Sequence, residues 1–256
     1  MKRSRIRKGV VVLMLLASIS MFLFSGYKLW ETQRMYAKGN ESYEQLQDSL
    51  RKPDAPMLSS GSVPSDTAAV PPLAIDFKAL KGINKDAAAW LYSPDTPIDY
   101  PVMWADDYNW YLHHLPDGTA NANGSLFLDF NGTPDFSGRL NIIYGHNMKS
   151  GKMFGSLPNY KQQEYWEQHP YLYLYTEQGN SRIDLLYGCT IGAGEWRDRA
   201  FLYDINLDAL LSYASSKSTF TSDVEYSDTD RFMVLSTCSY DFDDARYILI
   251  GVLRAE

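Results

Sequence analysis

Phe232-Met233-Val234-Leu235-Ser236-Thr237-Cys238 is an apolar run that ends on a thiol, and Arg246 opens a second apolar run, Tyr247–Leu253. Ser239-Tyr240-Asp241-Phe242-Asp243-Asp244 lies between them and has the composition of a turn. The pattern predicts two adjacent strands that bring Cys238 and Arg246 together across a ladder. A strand end exposes a side chain on a rigid base. Thiolate is the nucleophilic form of cysteine, so such a residue needs a positive charge or a base nearby. Arg246 is permanently charged and offers several donors. It suits holding a peptide carbonyl or stabilising the oxyanion of a tetrahedral intermediate. The best-placed histidine is His146, in Asn141-Ile142-Ile143-Tyr144-Gly145-His146-Asn147-Met148. It too follows an apolar run, after a glycine that permits a sharp turn. Such a histidine can protonate a leaving amine and later deprotonate an incoming nucleophile.

Outward from these segments the chain is rich in short strands. Ala87–Tyr92, Ile98–Met103, Leu126–Phe130, Leu140–Tyr144, Tyr171–Tyr175 and Ile183–Ile191 join Phe232–Thr237 and Tyr247–Leu253 as strand candidates, separated by Gly, Asn, Pro and Asp. Helices are expected at Phe77–Ile83, Tyr108–His113, Met153–Tyr160, Gln162–Gln168 and Leu207–Ser216, the last capped by Asn206 or Asp204. The fold class is mainly β with α insertions, a closed or nearly closed barrel of seven or eight strands.

The chain has 256 residues with a net charge of -7, and it opens with Lys2, Arg3, Arg5, Arg7 and Lys8 before any acid. The rest carries 19 basic and 31 acidic residues, which disfavours nucleic-acid binding. Residues 1–9 read as a cytoplasmic basic tail. Residues 10–27 read as a transmembrane anchor, because Val10–Phe24 lacks charge and no small-residue cleavage pattern follows Phe24. A cleaved signal peptide is the alternative. The basic cluster holds the N-terminus inside, which makes this a single-pass cell-membrane protein with its bulk extracellular. Residues 28–74 read as a stalk helix followed by a linker. Tyr43, Leu46 and Leu50 give the helix a narrow apolar stripe, and five prolines mark Pro53–Pro72 as the linker. Residues 75–256 form one folded domain.

Plainer readings stand beside the chemical ones. Cys238 is alternatively a buried structural thiol or the partner of Cys189 in a disulfide. Cys189 reads as an inert core residue. His113 and His114 read as a surface pair near a helix end, and otherwise as a rival base. His169 precedes Pro170 and reads as a helix stop. Asp241, Asp243 and Asp244 read as a solvated loop, with a contact to Arg246 or His146, or a calcium site, as the functional options. Tyr165, Trp166, Tyr171, Tyr173 and Tyr175 read as core and barrel wall rather than a carbohydrate platform.

Leu235-Ser236-Thr237-Cys238 with Tyr240 through Arg246, and the His146 segment, resemble the class B sortases, membrane-anchored cysteine transpeptidases of Gram-positive bacteria. Ile83–Leu91 through Asp99–Val102, and Gly124–Asp129, have the same family form. The resemblance runs from Phe77 to Arg254. It implies a sortase β-barrel with N-terminal helices and a helix before the cysteine strand, which Leu207–Ser216 fits. It implies that Cys238, His146 and Arg246 are catalytic. It further implies that Leu112, Tyr144 and Ser236 line a groove for the sorting signal of a surface protein, with Thr237 and Ser239 beside them and the Ser239 N–H as an oxyanion donor. A thioacyl enzyme would be resolved by a cell-wall peptidoglycan amine. No metal or cofactor is implied. Val234 stands where the family often has Thr, and Trp104 where it often has Gln. Tyr108 or Asn109 stands at a frequent Asn, which leaves the sorting motif open. A pilin-polymerising sortase, a membrane-tethered binding module of the same fold and a plain cysteine peptidase are the competing functions.

Overall fold

The computed structural model describes residues 2–53, 72–197 and 206–256. The linker expected over Pro53–Pro72, apart from its end residues, and the candidate cap Asp204 lie outside them.

Eight strands close into a barrel. In chain order the elements are α1 (Lys2–Leu50), β1 (Arg51–Pro53), β2 (Leu73–Ile75), α2 (Phe77–Ile83), β3 (Ala87–Tyr92), β4 (Asp99–Met103), β5 (Leu126–Leu128) and β6 (Leu140–Tyr144). A 3-10 helix (Leu157–Lys161), α3 (Gln163–Gln168), β7 (Tyr171–Thr176), β8 (Gly179–Gly192), α4 (Ala193–Arg197), α5 (Leu207–Lys217), β9 (Arg231–Cys238) and β10 (Ala245–Ala255) follow. The barrel order is β10-β8-β7-β3-β4-β5-β6-β9, and β1 and β2 pair separately. Two of the barrel pairings are parallel, β4 with β5 and β6 with β9.

The continuous apolar character of β9 and β10 has a direct cause, since both strands are buried on both faces. Met233 and Leu235 of β9, with Tyr247 and Leu249 of β10, point into the barrel core. Phe232 and Val234, with Ile248, Ile250 and Val252, point outward into a second core. Leu207, Leu210, Leu211 and Ala214 of α5 cover that second core, together with Trp196 of α4. Asn206 occupies the N-cap position of α5.

Two expected helices differ. Tyr108–His113 forms turns. The Asp107 carboxylate accepts from the N–H groups of Asn109 (2.6 Å) and Trp110 (2.7 Å). The carbonyls of Tyr111, Leu112, His113 and His114 all accept from elsewhere: the Ser125 N–H, His146 Nε2, the Asn121 N–H and Ser125 Oγ. The His113 N–H donates to the Trp110 carbonyl, an i to i+3 turn, and the carbonyls from Tyr111 on are committed to tertiary donors, so no i to i+4 ladder continues from it. Met153–Tyr160 shortens to the 3-10 helix, because Met153 has a φ of 54° and pairs with Asn147 in a β-bridge.

Helix α1 spans about 70 Å if straight. Its N-terminal half exposes large apolar side chains such as Leu13, Met21, Phe22 and Leu23. Its last turns become part of the domain, where Tyr43, Leu46 and Leu50 are buried in the barrel-side core. The Tyr43 hydroxyl donates to the Gly124 carbonyl at 2.5 Å, and Gln47 Nε2 donates to the Asp99 carbonyl at 2.7 Å. Arg51 pairs with the buried Asp99 carboxylate, which also accepts from Trp90 Nε1 at 2.7 Å. Further up the helix, Asn121 and Asn123 donate to the carbonyls of Met35 and Tyr36. These amides lie so close that a Cβ on Gly39 would stand 2.6 Å from Asn123 Nδ2.

This docking predicts a measurable dependence of the barrel on the helix. In urea unfolding of a form beginning near Lys28, Tyr43→Ala is expected to lower stability by about 3–5 kcal/mol. Tyr43→Phe is expected to lower it by about 1 kcal/mol. Unchanged midpoints in both variants would show that the helix end only tethers.

Candidate active site

Cys238 is the last residue of β9 and is exposed. Its neighbours come from both edges of the strand. On the β10 edge, Cys238 is the Cα partner of Arg246 in the final rung of the ladder. On the β6 edge, Tyr144 is the partner of Ser236, and the chain continues past Tyr144 alongside the end of β9. The Gly145 N–H donates to the Ser236 carbonyl at 3.2 Å. The Thr237 hydroxyl donates back to the Gly145 carbonyl at 2.7 Å. Asn147 Nδ2 then donates to the Cys238 carbonyl at 2.7 Å. His146 is thereby stitched, on both sides in sequence, to the strand that carries the thiol.

Gly145 is required here for close packing rather than for a left-handed turn. A Cβ would lie 2.4 Å from Leu126 Cδ2 and 2.7 Å from Phe154 Cδ2. The His146 ring is held by Nε2, 2.7 Å from the Leu112 carbonyl. A carbonyl only accepts, so Nε2 carries the proton and Nδ1 is the nitrogen left for acid–base work. His113 is brought close, its ring centroid 6.4 Å from that of His146. His114 is instead stacked on Trp110 at 3.8 Å.

Arg246 is half-buried and makes no ion pair among the described residues. Its Nη1 donates to the Ala245 carbonyl at 3.0 Å. That carbonyl also accepts from the Ser239 N–H at 2.9 Å. The N–H expected as an oxyanion donor is therefore engaged within the turn, because the hairpin closes on it. Arg246 is left as the group with charge and donors to offer.

The expected groove residues divide into two kinds. Leu112 and Tyr144 are half-buried, whereas Ser236, Thr237 and Ser239 are buried. The Tyr144 hydroxyl donates to Asp129 Oδ2 at 2.9 Å, and the Tyr108 hydroxyl donates to the same oxygen at 2.9 Å. Burial, then the Asp129 charge, push the Tyr144 phenol well above its ordinary range. The Tyr108 ring meets Phe130 and Tyr144 edge-on.

Both cysteines are free, so the disulfide option is not realised. Cys189 sits on β8 in the outer core, where burial pushes its thiol up to about 12. His169 ends α3 as its C-cap. Tyr173 and Tyr175 are buried in the barrel wall. Asp241 turns not to His146 or Arg246 but to Lys161, Thr190 and Ser239, from which it accepts. Among the described residues no group of three or more His, Cys, Asp or Glu is placed to hold a metal ion. In the sequence, Asn147 stands out only as the neighbour of His146, and Asp129 only as the end of Gly124–Asp129. Lys161 and Thr190 carried no signal at all.

A closed mixed barrel with this strand order has the fold of the sortases. No protein-family model matches the chain. Sortase B of Listeria monocytogenes is 30% identical over 242 residues, covering 93% of this chain and 94% of that protein. The solved sortase B of Clostridium perfringens superposes with a TM-score of 0.64 at 28% identity, over 70% of this chain and 99% of that one. A sortase B complexed with triglycine superposes at 0.63 with 25% identity, over 70% and 85% of the two chains. The chain belongs to the class B sortase family. Its activity is that of a sortase-type cysteine transpeptidase.

The lysine and hydroxyl donors around Asp241 hold its carboxyl at about 2, the Lys161 hydrogen bond first and the Ser239 hydroxyl next. A depressed folded-state pKa contributes stability above the unfolded value near 4 and loses it as pH falls. The difference in thermal midpoint between the wild type and Asp241→Asn is expected to be constant above about pH 5 and to shrink progressively down to about pH 1. A difference that did not shrink over this range would mean that the carboxylate charge is not its source.

Proposed function

We propose that the protein is a membrane-anchored sortase that cleaves a C-terminal sorting signal of surface proteins and joins the new carboxyl end to a cell-wall peptidoglycan amine. The observation that carries this reading is the final β9–β10 rung, Cys238 opposite Arg246, with His146 stitched to the same strand end. The Cys238 thiolate attacks the carbonyl carbon of the scissile bond. As the C–S bond forms, Arg246 faces the developing oxyanion. His146, as imidazolium, gives the Nδ1 proton to the leaving amine while the C–N bond breaks. A thioacyl enzyme remains. An incoming amine attacks it, His146 takes the amine proton, and the C–S bond breaks to return the thiolate. The net reaction exchanges one amide bond for another and needs no metal or cofactor.

Leu112 and Tyr144 form the walls for the sorting signal, and Ser236, buried beside Tyr144 in the β6–β9 ladder, supports them. Thr237 and Ser239 contribute by holding those walls, since the Thr237 hydroxyl clasps Gly145 and the Ser239 hydroxyl reaches Asp241. The triglycine-bound sortase B supports an amine as the second substrate. The exposed apolar half of α1 supports the anchor, and the basic residues before it support a cytoplasmic N-terminus with the barrel outside.

The test uses the protein from Lys28 to Glu256 with peptides beginning Asn-Pro, Leu-Pro or Ser-Pro, with and without glycine oligomers or a stem-peptide amine. Mass spectrometry is expected to show an amine-linked product that disappears in Cys238→Ala. Arg246→Ala is expected to slow acylation by about 100- to 1000-fold. Hydrolysis that added amine cannot divert would mark a plain cysteine peptidase. Absence of cleavage with a Cys238 that resists alkylation would mark a binding module.

A further inference from the structure

We infer that Asp241 is a positioning residue of the active site: it pins the loop after Cys238 to the barrel and so holds the Cys238–Arg246 rung in place. The inference deepens the transpeptidase reading and rests on it for the catalytic part of its test.

The loop Ser239–Asp244 has little apolar anchorage of its own. Tyr240 and Phe242, its two large side chains, are 75% and 53% exposed. Backbone bonds close it: Ser239 N–H to the Ala245 carbonyl, Ala245 N–H to the Phe242 carbonyl, and Ala193 N–H to the Asp244 carbonyl. Asp241 supplies the side-chain anchorage. Lys161 Nζ donates to its two oxygens at 2.7 and 2.5 Å. Thr190 Oγ1 donates at 2.9 Å and Ser239 Oγ at 2.6 Å. These donors come from three places: the end of the 3-10 helix, β8, and the residue that follows the nucleophile. One carboxylate thus ties the mouth of the β9–β10 hairpin to two other elements.

The same arrangement resolves an electrostatic conflict. A carboxylate three residues from a nucleophilic cysteine opposes thiolate formation. Lys161 pairs with that carboxylate, so the charge of the anchor is compensated within the anchor itself. The other charged or titratable groups of this region are His146 and His113 on the β6 side, Arg246 and Tyr247 on β10, Tyr240, Asp243 and Asp244 in the loop, and Glu195 on α4, with Lys161 Nζ lying 5.6 Å from the centre of the Tyr247 ring.

The experiment compares the full-length enzyme in detergent with Asp241→Asn, Lys161→Met, Thr190→Val and the exchanged pair Lys161→Asp with Asp241→Lys. Asp241→Asn is expected to lower kcat by about 10- to 100-fold with KM unchanged. Thr190→Val should have a smaller effect of the same kind, and the exchanged pair should recover part of the loss. Amide exchange at Ser239 and Ala245 should quicken in parallel. The pH midpoint for alkylation of Cys238 should fall in Asp241→Asn and rise in Lys161→Met, opposite shifts that a general loss of stability would not produce. Wild-type kcat and wild-type amide exchange in Asp241→Asn would overturn the inference, as would alkylation midpoints that move in the same direction. Should the wild type transfer no peptide, the transpeptidase reading would fail, while amide exchange and alkylation would still judge Asp241. Should Asp241→Asn not fold, Thr190→Val and the exchanged pair would carry the same comparison.

Discussion

Strand β9 is paired on both of its edges, parallel to β6 and antiparallel to β10, and the site depends on that double pairing. Adjacent strands lie about 4.8 Å apart, so two neighbouring ladders bring groups from three strands within reach of one chain end. The β10 ladder delivers Arg246 opposite Cys238. The β6 ladder delivers the chain that carries His146. Both deliveries depend on register, because a slip of one residue would turn every side chain of β9 to the other face. Burial on both faces locks the register. Leu235 belongs to the inner core and Val234 to the outer one, and a slip would exchange their surroundings. The stability of the barrel and the geometry of the site are therefore set by the same packing.

Around that strand the backbone does much of the orienting. Carbonyls of Gly145, Cys238, Leu112 and Ala245 accept from Thr237, Asn147, His146 and Arg246 respectively. A carbonyl anchored in a ladder is a rigid acceptor, and it leaves the charged partner unneutralised. Arg246 is held in this way, with no carboxylate among the described residues paired to it. The histidine tautomer follows from the same device. By contrast, the carboxylates nearby serve other groups: Asp129 binds the hydroxyls of Tyr108 and Tyr144, and Asp241 binds Lys161.

What the sequence made legible follows from how local each signal is. The run Phe232–Cys238 announced a strand, and its distance to Arg246 announced the hairpin, whereas burial on both faces shows only in the two cores. The stripe of Tyr43, Leu46 and Leu50 announced a helix with a docking edge. Asn141–Met148 showed where the histidine stands but not that Asn147 reaches the Cys238 carbonyl. Tyr108–His113 reads as a helix but folds as turns, and the carbonyls from Tyr111 to His114 answer to Ser125, Asn121 and His146. The partners of Asp241 lie 80 and 51 residues away in Lys161 and Thr190. No periodicity or spacing rule connects such positions. They meet only because the barrel closes.

The unbroken course of α1 has a consequence for how substrates are met. Between Lys28, where the apolar half ends, and Met35, the first carbonyl bonded to the barrel, the helix rises only about 10 Å. In the anchored topology proposed above, the barrel rides just over the lipid headgroups, with little freedom to tumble. Its sweep reduces to lateral diffusion and rotation about the helix axis. A client protein held at the same membrane would then be sought in two dimensions. The catalytic mouth would meet it from a nearly constant height, and that height would select which stretch of the client's chain comes within reach.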